Sequence, residues 1–167
     1  MEKICVLGGG AIGSCVSASL TEAKLDVYLV DQWAAHIDKI RTDGLDVITT
    51  EGKTNTKIKS YHLSDFAQLQ EKFDYIFMAV KAYDTQWIAK FASVYLKEDG
   101  VLIGLQNAYN DDKNVEMIGG NKVVGAVVEL SCEIFQPGIV QRNTIPTGTW
   151  FAVGELDGTI TPRLRNI

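Results

Sequence analysis

The sequence predicts an α/β fold built on a doubly wound, mostly parallel sheet, and three observations lead there. Short continuous apolar runs recur at residues 4–7, 75–80, 101–105 and 123–128, as strands covered on both faces require. Between them lie stretches with apolar residues at helical spacing. The first run opens directly into Gly8-Gly9-Gly10-Ala11-Ile12-Gly13, a glycine pattern that gains meaning between a strand and a helix.

Taken in order, Ile4-Cys5-Val6-Leu7 is the first strand, and each glycine after it has a separate role. Gly8 makes the tight turn, Gly10 lets a pyrophosphate approach the backbone, and Gly13 lets the next helix lie close on the strand. Residues 11–20 mix small residues with Ile12, Val16 and Leu20, as a tightly packed helix needs. Strand two, Asp26 to Val30, ends at Asp31, close to the offset expected for an acid that binds a ribose diol. This combination predicts a Rossmann-type dinucleotide site. A second helix follows at residues 34–41, with Ile37, Ile40 and Trp33 on its inner face, His36 on its exposed part and Gly44 as its stop.

From 45 to 63 charged and β-branched residues alternate. Segments 46–50 and 57–62 around Glu51-Gly52-Lys53-Thr54-Asn55 predict a small solvent-facing hairpin, an excursion that keeps His62 away from the strand ends. Ser64 is expected to cap a short helix. The apolar run 75–80 ends at Lys81; Trp87, Ile88, Phe91 and Tyr95 then mark a helix within 84–96, and Gly100 precedes strand 101–105. Gln106-Asn107 stands just past that strand's C-terminal end. A short helix at 114–118 leads to strand 123–128, beyond which Pro137-Gly138 and residues 149–153 indicate antiparallel pairing. Thr161-Pro162 starts a helix near 161–167 that closes the chain; we expect a truncated chain, one dinucleotide-binding domain over 1–167.

Composition narrows the function. A chain of 167 residues with a net charge of −5 and scattered basic residues is not built primarily to hold nucleic acid. Cys5, Cys15 and Cys132 are odd in number and lack metal-ligand spacing, so they read as small buried hydrophobes in a reducing, cytoplasmic setting, and no metal is expected. Ile12-Gly13-Ser14-Cys15 imitates a lipoprotein cleavage box, but the preceding segment carries no net positive charge and is interrupted by glycines. No stretch approaches the roughly 20 apolar residues of a membrane span.

The glycine turn, together with Val80-Lys81-Ala82-Tyr83-Asp84-Thr85, Gly104-Leu105-Gln106-Asn107-Ala108, Pro137-Gly138 and Gly154-Glu155, resembles the ketopantoate reductase (2-dehydropantoate 2-reductase) family across essentially the whole chain. The resemblance implies the cofactor-binding half of an NAD(P)H-dependent reductase of 2-dehydropantoate, or of another branched 2-keto acid, in pantothenate biosynthesis. It implies a cofactor site of Gly8, Gly9, Gly10, Ala11, Ile12, Gly13, Asp31, Gln32, Lys81 and Asn107. Lys81 would contact the adenosine side; Asn107 would bond near the nicotinamide ribose and orient the keto acid. The family's general-acid lysine lies in a helical C-terminal domain, so the fragment alone is expected to be inactive. Without that domain, an apolar patch around 149–153 is expected to favour self-association, leaving a homo-oligomer open.

Two departures from the family pattern bear on specificity. Ala108 stands where glycine is usual, and Asp31-Gln32 replaces the basic residue that accepts the 2′-phosphate of NADP. A carboxylate at Asp31 favours NAD over NADP, although Lys81 could still neutralise the phosphate. Glu129 is either a cleft acid or a solvated strand end. A non-catalytic dinucleotide sensor and a flavoprotein remain alternatives, since fold alone does not separate them.

Overall fold

The structure, a computed structural model, describes residues 2–107 and 110–167. Strand β1 (Lys3–Leu7) lies inside a seven-stranded sheet, paired in parallel with β2 (Asp26–Asp31) on one side and β6 (Phe73–Met78) on the other. Beyond β2 lies β5 (Lys59–His62); beyond β6 lie β7 (Leu96–Gly104) and β8 (Val123–Glu129), all parallel. An antiparallel edge strand, β11 (Trp150–Gly154), completes the order β11-β8-β7-β6-β1-β2-β5. The strand order reverses between β1 and β6, and in such sheets the crevice outside that switch point takes the ligand.

Side chains of β1 alternate between two cores. Ile4 and Val6 join Cys15 and Ala18 of helix α1 (Ala11–Glu22). Cys5 and Leu7 face the layer of α3 (Leu63–Phe66) and α4 (Thr85–Ser93), with Phe66, Ile88, Ala89 and Ala92. Helix α5 (Asp111–Ile118) contributes Met117 and Ile118 on the same side. The five-residue α6 (Pro162–Asn166) starts after Thr161, whose hydroxyl donates to Glu155 rather than capping the helix.

A second sheet, order β4-β3-β10-β9, covers the outer side of α1. Strands β3 (Leu45–Thr49) and β4 (Gly52–Thr56) form one antiparallel pair, β9 (Cys132–Gln136) and β10 (Ile139–Arg142) another, and β3 joins β10 in parallel. The expected hairpin is thereby corrected. Its second arm is β4, joined to β3 through Thr50-Glu51, whereas Lys59–His62 turns back onto the main sheet beside β2. Buried Thr56 and Ile58 draw this connection inward. Because α1 is covered on both sides, its small residues Gly13, Ser14, Cys15, Ser17 and Ala18 are buried.

Several other expectations change. Helix α2 (Ala34–Asp43) ends at Gly44 as expected, with φ +89°, and buries Ile37 and Ile40, but it also buries His36 completely. The Gly138 N–H donates to His36 Nδ1 (2.9 Å), so the proton sits on Nε2, 3.1 Å from Ser14 Oγ. Ser14 Oγ in turn donates to Gly9 O at 2.9 Å. A polar residue expected outside is thus the link between the glycine turn, α2 and the β9–β10 turn. Trp33, expected inside, is an exposed helix cap whose ring stacks on His36 at 5.2 Å. His62, not Ser64, caps α3, accepting from Ser64 N. It stands at the C-terminal end of β5, opposite Asp31. Gly100 lies inside β7 instead of before it, and α4 stops at Ser93. Val127, Trp150 and Phe151 are exposed on the β8–β11 edge. Ala108 lies outside the described residues.

A Cβ on Gly13 would lie 1.8 Å from the Gly8 carbonyl oxygen, with backbone on both sides of the clash. Gly13→Ala is therefore expected to destabilise the fold by about 3 kcal/mol, near the top of the usual range for overpacking, and to lower the thermal midpoint by several degrees; an unchanged midpoint would refute this packing.

Burial lowers the His36 pKa below its ordinary 6.5, against a smaller opposing pull from Asp31. Protonation would also set Nδ1–H against the Gly138 N–H. Since the unfolded chain binds this proton more readily, the contribution is complete above pH 6.5 and is lost as pH falls through that value to the lower folded one. Thermal melts between about pH 7.5 and about pH 5.5 are expected to show this decline in wild type and a flatter profile in His36→Gln.

Candidate active site

The glycine turn is shaped by close contacts. Gly8 has φ +105°, and a Cβ there would meet the Ala79–Val80 peptide at 2.8 Å. Its N–H donates to Val30 O (2.9 Å), while Ala79 N–H donates to Leu7 O (2.7 Å), tying the ends of β1, β2 and β6 together. Gly10 differs: it is the N-cap of α1, provides no side-chain cap, and a Cβ on it would meet nothing within 4 Å. The first-turn N–H groups and the positive end of α1 therefore face open space, a candidate cradle for an anion such as a diphosphate.

Two openings flank this cradle. One is a cavity of about 460 Å³ lined by Gly10, Ala11, Ile12, Lys81, Gln106 and Asn107, with Val128, Leu130 and Cys132 on its far wall. Its volume suits a small-molecule site. The other is a notch of about 30 Å³ between Gly8, Asp31, Gln32 and Trp87, room for about one water, so a base would lie over it rather than inside. Trp87 is 43% exposed there, its Nε1–H donating to Asp84 Oδ1 at 2.6 Å. Helical spacing marked Trp87 only as part of a helix; its position near the start of α4 makes it an aromatic wall of the notch.

The predicted residues divide between these openings. Asp31 and Gln32 line the notch; Lys81 and Asn107 line the larger cavity together. Lys81 thus lines a different opening from Asp31 and Gln32. Asp31 also holds the local structure together, because its Oδ2 accepts from Gly9 N–H (2.5 Å) and its Oδ1 from Trp33 N–H (2.7 Å). Each oxygen keeps a second lone pair able to accept a further hydrogen bond. His62 Nε2 bonds Gln32 O (2.9 Å), and its Nδ1 lies 2.7 Å from Ser64 Oγ. Glu129 accepts from Trp150 Nε1–H and does not line the cavity, whereas its neighbours Val128 and Leu130 do.

Gln106 proves as informative as Asn107. Its Nε2 donates to Val80 O (3.1 Å) and Thr85 Oγ1 (2.7 Å), locking the end of β7 to the start of α4, while its buried Oε1 has no hydrogen-bond partner among the described residues. Asn107 is exposed, and its carbonyl accepts from Asn110 Nδ2 at 3.0 Å. Among the described residues, no group of three His, Cys, Asp or Glu could hold a metal ion, and no helix is long and apolar enough to cross a membrane.

The family model described as Ketopantoate reductase PanE/ApbA matches residues 4–157. The chain belongs to the ketopantoate reductase family. The 2-dehydropantoate 2-reductase of Pyrococcus horikoshii is 31% identical over 139 residues, covering 83% of this chain and 44% of that protein. The Archaeoglobus fulgidus 2-dehydropantoate 2-reductase is 30% identical over 163 residues, 96% of this chain and 50% of that protein. The chain thus spans about half the length of these curated relatives. Among solved structures, the fold matches 2-dehydropantoate 2-reductase from Geobacter metallireducens with a TM-score of 0.83 at 22% identity, covering 98% of this chain and 52% of that one. It also matches the ternary structure of D-mandelate dehydrogenase with NADH and anilino(oxo)acetate, with a TM-score of 0.85 at 19% identity, covering 98% and 51%. Within this ketopantoate reductase-type domain, the seven-stranded sheet places the glycine turn at the switch point.

Because a Cβ on Gly10 enters open space in the protein but would occupy the diphosphate cradle, Gly10→Ala is expected to keep the wild-type melting curve. It should weaken nicotinamide nucleotide binding at least tenfold, about 1.4 kcal/mol, in a calorimetric titration; unaltered affinity would remove the cradle from the site.

Proposed function

We propose that this chain is the dinucleotide-binding half of an NAD(P)H-dependent 2-keto acid reductase that converts 2-dehydropantoate to pantoate. The observation that carries the proposal is the uncapped Gly10 end of α1, open beside a cavity that gathers Lys81, Gln106 and Asn107. A nicotinamide coenzyme supplies the hydride. The α1 N-terminus would hold its diphosphate, Asp31 its ribose hydroxyls, and the exposed face of Trp87 its adenine.

On the cavity side, the Asn107 carboxamide can donate to a keto or carboxylate oxygen, and Lys81 supplies positive charge near an anionic substrate. Val128 and Leu130 give the cavity an apolar wall, which limits water where hydride would move. The developing alkoxide also needs a proton. The family resemblance assigns that role to a lysine in a helical domain, so turnover requires residues outside this chain.

The cofactor preference follows from charge at the notch. Asp31 would repel a 2′-phosphate; Lys81 lies at the other opening, and both ring nitrogens of His62 are engaged. NADH is therefore expected to bind this chain more tightly than NADPH in parallel calorimetric titrations, with no reduction of 2-dehydropantoate by the chain alone. NADPH binding tenfold tighter would overturn the cofactor assignment, binding of neither nucleotide would overturn the site, and turnover by the isolated chain would overturn the division of labour.

A further inference from the structure

The thiols of Cys15 and Cys132 are far apart in sequence and adjacent in space: their sulfurs lie 3.0 Å apart. Cys15 sits in the second turn of α1, 1% exposed, and Cys132 begins β9, half-buried on the wall of the larger cavity. Both are free thiols, as is Cys5, buried in the opposite core. A disulfide bond is about 2.05 Å long, so bonding requires an approach of about 1 Å, within reach of small side-chain rotations.

We propose that Cys15 and Cys132 form a reversible disulfide site, a redox latch that fastens the second sheet to α1 immediately behind the diphosphate cradle. The two thiols have distinct roles. Cys132 opens toward the cavity, which admits a small oxidant, and Arg142 stands directly opposite it in the β9–β10 register. Arg142 is held there by hydrogen bonds to Thr144 O (3.0 Å), Thr149 Oγ1 (2.9 Å) and Ser19 Oγ (3.4 Å). Contact with the Cys15 thiol, aided by the Arg142 charge, holds the Cys132 thiol below its ordinary pKa, while the same contact and burial push Cys15 up. Cys132 is thus the thiolate that attacks first, and Cys15 the thiol that resolves.

With a low-molecular-weight disulfide RSSR as oxidant, the Cys132 thiolate attacks one sulfur, forming Cys132–S–SR and expelling RS⁻. Cys15 gives its proton to RS⁻ and its sulfur displaces the second RS⁻, which takes up the proton lost earlier by Cys132. In total two cysteine thiols are oxidised to one disulfide and RSSR is reduced to two RSH. The bond would close a loop between positions 117 residues apart, so it constrains the unfolded chain strongly.

The test uses the full chain, reduced, desalted and incubated with oxidised glutathione, after which free thiols are alkylated and peptides mapped by mass. The expected product is a monomer with a Cys15–Cys132 linked peptide and alkylated Cys5. Its thermal midpoint should lie several degrees above the reduced form and return with dithiothreitol. Cys132→Ser and Cys15→Ala should each abolish the link and the shift, and Cys5→Ala neither. Alkylation of both Cys15 and Cys132, a lasting glutathione adduct on Cys132, or a link through Cys5 or to a second chain would overturn the site. A linked chain with an unchanged or lowered midpoint would overturn the latch.

Discussion

The contact on which the rest depends is the one between Gly13 and Gly8. Helix α1 approaches the end of β1 so closely that a single methyl group on Gly13 would overlap the Gly8 carbonyl oxygen. That approach sets the direction of α1, and so aims its uncapped N-terminus into the crevice at the switch point of the sheet. It also fixes how far α1 stands from the main sheet, which in turn decides what can cover its outer side. The open N-terminal end of α1 thus rests on one close backbone contact.

The second sheet explains an otherwise odd helix. An ordinary surface helix has one apolar stripe and a polar opposite face, yet α1 buries serines and a cysteine among its small residues. Ser14 is satisfied by Gly9 and His36, and His36 by Gly138. Neutral imidazole accepts at one nitrogen and donates at the other, so it can join a hydroxyl to a backbone N–H without a buried charge. The glycine turn is thereby connected through two side chains, Ser14 and His36, to the turn of the β9–β10 hairpin. Local geometry at the cradle is held from both the strand side and the hairpin side.

The site itself shows how one side chain can serve two purposes. Asp31 anchors the glycine turn through Gly9 and the start of α2 through Trp33, and still keeps lone pairs that face the notch. Gln106 does the same at the other opening, tying β7 to α4 while its Oε1 keeps no partner among the described residues. Such groups are positioned before any ligand arrives, which lowers the ordering cost of binding.

Much of this was legible from residues alone. Continuous apolar runs identify strands covered on both faces, and the glycine spacing carries the tight turn at Gly8, the open helix end at Gly10 and the close packing at Gly13, because those requirements are local and steric. What the sequence could not convey was long-range pairing. The polar strand β4 takes its partner from hydrogen-bond register, so the arms of the hairpin were exchangeable until Thr56 and Ile58 were buried. His36 and Trp33 traded places because periodicity records polarity, not whether a buried polar group finds partners. Spacing along the chain likewise does not say which opening Lys81 or Trp87 lines; only tertiary packing brings Trp87 to the notch and Lys81 to the larger cavity. The sequence determined the fold class and the glycine turn that opens α1; the tertiary structure alone decided which residues meet around it, since contacts between distant segments depend on the packing of the whole chain.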